Sequence, residues 1–85
     1  MTDGKSLLLV DDDRLVLGTL SEGLRDAGYR VFSADSAEKA LQLAAIHVLE
    51  LAVLDIRLPN ESGIDLAISL RDKYKLSAIF LPDYL

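Results

Sequence analysis

The 85-residue sequence predicts an α/β domain with a parallel sheet, its elements following one another as β-α-β-α-β-α-β. Two observations carry that expectation. Short unbroken apolar runs, the mark of strands covered on both faces, alternate with segments whose apolar residues recur at helical spacing. Two of the three most apolar runs end abruptly in aspartate, as strands do where they emerge at the carboxyl edge of a sheet. Alternation of this kind indicates helices packed on the faces of a parallel sheet.

Ser6 to Val10 is the first apolar run and reads as a buried strand. Beyond it Val16, Leu20, Leu24 and Ala27 form a helix face, and Gly28 supplies the stop. Tyr29 to Ala34, centred on Val31 and Phe32, has strand composition. Ser36 is an N-cap candidate for a second helix, in which Ala37, Ala40, Leu41, Ala44 and Ala45 follow the i, i+3, i+4, i+7, i+8 pattern. Leu51 to Leu54 is a third strand, ended by Asp55. After the turn-rich segment from Leu58 to Gly63, a third helix runs from about Ile64 to Lys73, with Ile64, Ala67, Ile68 and Leu70 expected inside. Ala78 to Leu81 forms the fourth strand, stopped by Pro82.

Hydrophobic residues make up 51% and charged residues 27%, a balance that fits one folded domain and excludes a disordered chain. The net charge of −5 argues against direct binding to nucleic acid or to an anionic membrane surface. With no cysteine and one histidine, thiolate and His-rich metal sites are excluded. Charged residues break every apolar stretch before it reaches ~18 residues, so no transmembrane span is expected. The start of the chain does not read as a signal peptide, and a cytoplasmic location is the expectation.

Ligands of open α/β sheets bind outside the carboxyl ends of the strands. Asp11-Asp12-Asp13 follow the first strand and Asp55 the third. Neighbouring strands lie ~4.8 Å apart, so carboxylates at their ends can converge. Crowded carboxylates repel one another, and a hard divalent cation such as Mg²⁺ relieves that repulsion. An aspartate in such a cluster can also act as a nucleophile toward phosphorus. The plainer reading is that these aspartates cap the first helix, which accounts for one or two of them but not for Asp55.

Leu8-Leu9-Val10-Asp11-Asp12-Asp13 resembles the first-strand motif of response-regulator receiver domains, the phosphoacceptor modules of two-component signalling. Leu54-Asp55-Ile56-Arg57-Leu58-Pro59, followed by Ser62-Gly63, resembles their phosphoacceptor strand and loop. Gly28-Tyr29 and the helix start from Ser36 to Leu41 fit as well, and the resemblance covers residues 6 to 81. It implies a flavodoxin-like receiver fold with strand order 2-1-3-4. It also implies that Asp55 accepts a phosphoryl group from a sensor histidine kinase, a phosphotransfer protein or a small phosphodonor. Asp12 would bind Mg²⁺ directly, Asp11 mainly through water, and the third protein ligand would be the backbone carbonyl of Arg57. Pro59 and Gly63 would shape the loop into the third helix, and Asp13 would be a helix cap. The module would be a signalling domain, not an enzyme with turnover.

Residues 1–85 would lack the fourth helix, fifth strand and fifth helix of the family. Pro82 stands where the family places a hydroxyl, with Asp83 beside it, and Ser77 is at the wrong end of its strand. The family's lysine belongs to the fifth strand. Lys5, Lys73 and Lys75 precede strands, about 17 Å from the acidic edge, and Lys39 is expected to face solvent. Phosphorylation is therefore expected to be slow and weakly coupled to a switch. The exposed fourth strand invites a homodimer or exchange of elements between copies.

Two other readings stay open. A phosphorylation-independent interaction or dimerisation module would keep the aspartates without their chemistry. A haloacid-dehalogenase-like phosphatase would use Asp11 and Asp13 as its Asp-x-Asp pair, but no Gly-Thr follows. His47 reads as a loop or surface histidine, Tyr74 and Tyr84 as packing residues, and Arg57 as a side chain at the site entrance or in solvent.

Overall fold

The protein is described by a computed structural model, which covers residues 4–58 and 61–81. The expectations placed on Pro59, Pro82, Asp83 and Tyr84 lie outside the described residues. The element order is β1 (Ser6–Val10), α1 (Arg14–Asp26), β2 (Arg30–Ala34), α2 (Ala37–Ile46), β3 (Leu51–Leu54), β4 (Arg57–Leu58), β5 (Glu61–Ser62), α3 (Gly63–Tyr74) and β6 (Ala78–Phe80).

The predicted architecture is present. Strands β2-β1-β3-β6 form a sheet in which every pairing is parallel, the expected order 2-1-3-4. β1 is central, and Leu7 to Val10 are all buried because helices cover both of its faces. Leu8 and Val10 face α2 and α3, where Ala40, Ala44, Leu66 and Leu70 close the larger core. Alternation sends Leu7 and Leu9 to the α1 side. There buried Ser21 and half-buried Ser33 share a hydroxyl hydrogen bond of 2.7 Å.

The helix ends follow from their capping residues. Asp13 Oδ1 accepts from the N–H groups of Leu15 (3.0 Å) and Val16 (3.3 Å) at the start of α1. Ser36 accepts from Lys39 N–H at the start of α2, and Ser62 accepts from Ile64 N–H at the start of α3. Gly28 ends α1 with φ of 102°, a backbone that side chains disfavour. Lys75 ends α3 in the left-handed region, a stop with no glycine to announce it.

α3 buries Leu70 as expected, but its buried face is rotated away from the expected Ile64 and Ile68. Gly63, Leu66 and Leu70 are inside, Ala67 is half-buried, and Ile64 and Ile68 are 52% and 43% exposed. The cause lies at the first turn, where Gly63 packs on the backbone of Asp55 and Ile56 and donates to the Ile56 carbonyl at 2.7 Å. That contact fixes the rotation of the helix and turns both isoleucines sideways. On α1, likewise, Ala27 is exposed and the stripe formed by Val16, Leu20 and Leu24 is half-buried. The short antiparallel pair β4–β5 is an addition to the expected elements.

Candidate functional site

The sheet's own hydrogen bonds carry the acidic residues to one place. Asp11 N–H donates to the Ala34 carbonyl (3.2 Å) and Asp55 N–H to the Val10 carbonyl (2.9 Å). Asp11 and Asp55 therefore leave adjacent strands at the same carboxyl edge, with Asp12 next in the chain. A carboxylate oxygen from each of Asp11, Asp12 and Asp55 lies within 4.8 Å of the others. Asp11 is buried, Asp55 half-buried and Asp12 exposed.

Backbone donors hold two of these carboxylates. Asp11 Oδ1 accepts from Asp13 N–H at 2.9 Å, and Asp55 Oδ1 accepts from Arg57 N–H at 3.2 Å. Burial pushes the Asp11 carboxyl above its ordinary value of 3.8, and the charges on Asp55, Asp12 and Asp13 push the same way. The hydrogen bond from Asp13 opposes them. Three hard oxygen donors around one point, one of them destabilised as an anion, suit a small divalent cation that keeps part of its water shell.

Asp13 is drawn into the α1 cap and lies outside the three-carboxylate group among the described residues. Lys5 lies at the amino edge, where its carbonyl accepts from Arg30 N–H. Lys73 and Lys75 sit at the carboxyl end of α3, just before β6, and Lys39 is exposed on α2. Arg14 is a cation that the sequence reading, with its attention on lysines, leaves out. It opens α1 beside the aspartate triplet and pairs with Asp35 at 3.5 Å. Its position directly after Asp13 is the signal that could have found it. His47 lies in the loop just after α2, as expected of a loop histidine; it is half-buried, and its ring stacks on Phe32 with centroids 4.1 Å apart.

No helix among the described residues is long and apolar enough to cross a membrane. A family model, the response regulator receiver domain, matches residues 7–82. The transcriptional regulatory protein PdtaR of Mycobacterium tuberculosis is 31% identical over 70 residues, which are 81% of this chain and 34% of PdtaR. A CheY-like receiver domain from Methanospirillum hungatei superposes with a TM-score of 0.90 at 29% identity, over 96% of this chain and 66% of that one. The response regulator TrrA of Thermotoga maritima, solved with Mg²⁺ and BeF, is 34% identical with a TM-score of 0.79, over 89% of this chain and 65% of that one. TrrA has also been solved in complex with the histidine kinase ThkA, where the TM-score is 0.85 over 95% of this chain and 71% of the other. The chain thus spans about a third of that curated relative and about two thirds of those receiver structures.

Proposed function

The chain belongs to the response regulator receiver domain family of two-component signalling, and within it we propose that Asp55 is the phosphoacceptor and that Mg²⁺ binds beside it. The observation that carries this reading is the meeting of Asp11, Asp12 and Asp55 oxygens within 4.8 Å at the carboxyl edge. Asp12 and Asp55 are the direct carboxylate ligands in this reading, Asp11 acts mainly through water, and the Arg57 backbone carbonyl completes the protein donors. Bound there, the cation would screen the negative charges of acceptor and phosphoryl group.

Asp55 Oδ1 is engaged by Arg57 N–H, so we assign the attack to Oδ2. As its bond to phosphorus forms, the bond from phosphorus to the donor breaks, and the donor leaves with that electron pair. With a phosphohistidine donor the leaving atom is the imidazole nitrogen. TrrA's complex with ThkA supports a histidine kinase, or a phosphotransfer protein, as the donor for this chain.

The described lysines lie away from the acidic edge or in solvent, and Pro82 occupies the sequence position of the family's hydroxyl. For residues 1–85 the reading is therefore slow phosphorylation with weak switching. The same placement of cations favours a second reading, an interaction module that works without phosphorylation.

Titrating Mg²⁺ and then beryllofluoride, with amide shifts followed, separates the two. The first reading expects shifts at Asp12 and Asp55 with Mg²⁺ and a further local change with beryllofluoride. Unmoved amides at both positions contradict it and favour the interaction module.

A further inference from the structure

We propose that Arg14 is a phosphoryl-binding residue, which exchanges Asp35 for the phosphoryl group carried by Asp55. This deepens the phosphoacceptor reading above and rests on it.

The sheet register sets two carboxyl-bearing residues in matching places on either side of β1. Val10 pairs with Ala34 of β2 and with Leu54 of β3. Asp35 and Asp55 each follow those partners by one residue. They therefore flank Asp11 at the same level of the carboxyl edge, each one strand spacing of ~4.8 Å away. Arg14 opens α1 from that edge, with Asp13 as its cap. Two peptide units, about 7 Å at most, separate it from Asp12, whose carboxylate belongs to the three-carboxylate group. Its guanidinium leans to the β2 side, where Nη2 meets Asp35 Oδ2 at 3.5 Å. Turned to the β3 side, the same side chain comes over Asp55.

The contact with Asp35 gives way easily. It is at the long end of hydrogen-bond range, and the side chains of Arg14 and Asp35 are 87% and 40% exposed. Exposed pairs of this kind contribute little, because water and salt compete for both charges. Before transfer, Asp55 Oδ1 is already engaged by Arg57 N–H, and Arg14 rests on Asp35.

A phosphoryl group is the stronger partner. It presents three oxygens to a planar guanidinium, which grips them through two parallel N–H···O bonds. Transfer also replaces the single negative charge of the Asp55 carboxylate by about two, beside Asp11 and Asp12. The attraction toward the β3 side of the edge grows on transfer, while the charge on Asp35 stays the same.

Beryllofluoride, added with Mg²⁺ to the 85-residue chain, serves as the phosphoryl mimic. Its binding is read from the amide shifts of Asp12 and Asp55 in the parent chain, Arg14→Gln, Asp35→Asn and the double variant. The Nε–Hε signal of Arg14 is followed in the same titration. The proposal expects Arg14→Gln to weaken beryllofluoride about tenfold, the loss of a charge-assisted pair less the weak contact with Asp35. Asp35→Asn should tighten it about threefold by freeing the guanidinium, and that gain should vanish in the Arg14→Gln background. The Arg14 signal should move in step with the Asp55 amide. Equal affinity in the parent chain and Arg14→Gln, or an Arg14 signal that stays in place, overturns the exchange while leaving Asp55 as acceptor. An Asp35→Asn gain of undiminished size in the Arg14→Gln background also overturns it, because removal of a negative charge then acts without Arg14. A parent chain that takes up no beryllofluoride overturns both readings.

Discussion

Gly63 lies so close to the Asp55 carbonyl oxygen that a Cβ on Gly63 would collide with it and with the backbone of Ile56. The helix following the candidate site is thereby seated directly on the strand end that carries the acceptor. Because the obstacle is backbone on both sides, Gly63→Ala has no inexpensive relaxation. We expect it to cost about 1–3 kcal/mol in urea unfolding, as overpacking does. It should also slow labelling of Asp55 by acetyl phosphate. An unchanged unfolding midpoint would contradict the contact.

Asp11 is the member of the cluster whose charge is least welcome. Its carboxyl is raised by burial first and by neighbouring charges second. A raised value means that the ionised form is disfavoured in the folded state. The associated stability is present below the unfolded value near 3.8 and is lost as pH rises through the higher folded value. Without divalent cations, Asp11→Asn should therefore raise the melting temperature at neutral pH, and the gain should vanish once the pH falls below 3.8. Thermal melts at both pH values check the sign. Added Mg²⁺ should raise the melting temperature of the parent chain more than that of the variant.

Asp13 is assigned to the helix by two hydrogen bonds to the first turn of α1. Asp13→Ala should cost about 1 kcal/mol, a typical loss for an N-cap, and Asp13→Ser should restore most of it. Neither change should remove the Mg²⁺ response of the Asp55 amide. Loss of that response in Asp13→Ser would make Asp13 a ligand.

Ser21 and Ser33 satisfy each other where α1 meets the sheet. Ser21→Ala alone leaves a hydroxyl short of its partner and should cost about 1–2 kcal/mol. Removing both hydroxyls should cost less than the sum of the single changes, and a double-mutant cycle in urea measures the difference.

The parts legible from sequence were those fixed locally. Apolar runs ending in Asp11 and Asp55 revealed both the strands and the edge at which they stop, because a parallel sheet brings strand ends together whatever lies between them. The rotation of α3 was hidden. Leu70 is expected inside and is, but Ile64 and Ile68 make a better apolar stripe with it than Gly63 and Leu66, and the close approach of Gly63 to Asp55 favours the second pair. Strands as short as β4 and β5 carry no periodicity to read. Ser21 counts as polar in any pattern, yet its hydrogen bond to Ser33 lets it be buried. The stack of His47 on Phe32 joins residues from different elements and leaves no trace in spacing.

The central claim is that Asp55 is a Mg²⁺-dependent phosphoacceptor. Intact-mass spectrometry after incubation with acetyl phosphate tests it directly, on the parent chain and on Asp55→Asn, with Mg²⁺ or with a chelator. The account predicts slow addition of one phosphoryl group to the parent chain with Mg²⁺, and none to Asp55→Asn or in the presence of chelator. Addition that survives in Asp55→Asn, or that ignores the metal, would contradict it.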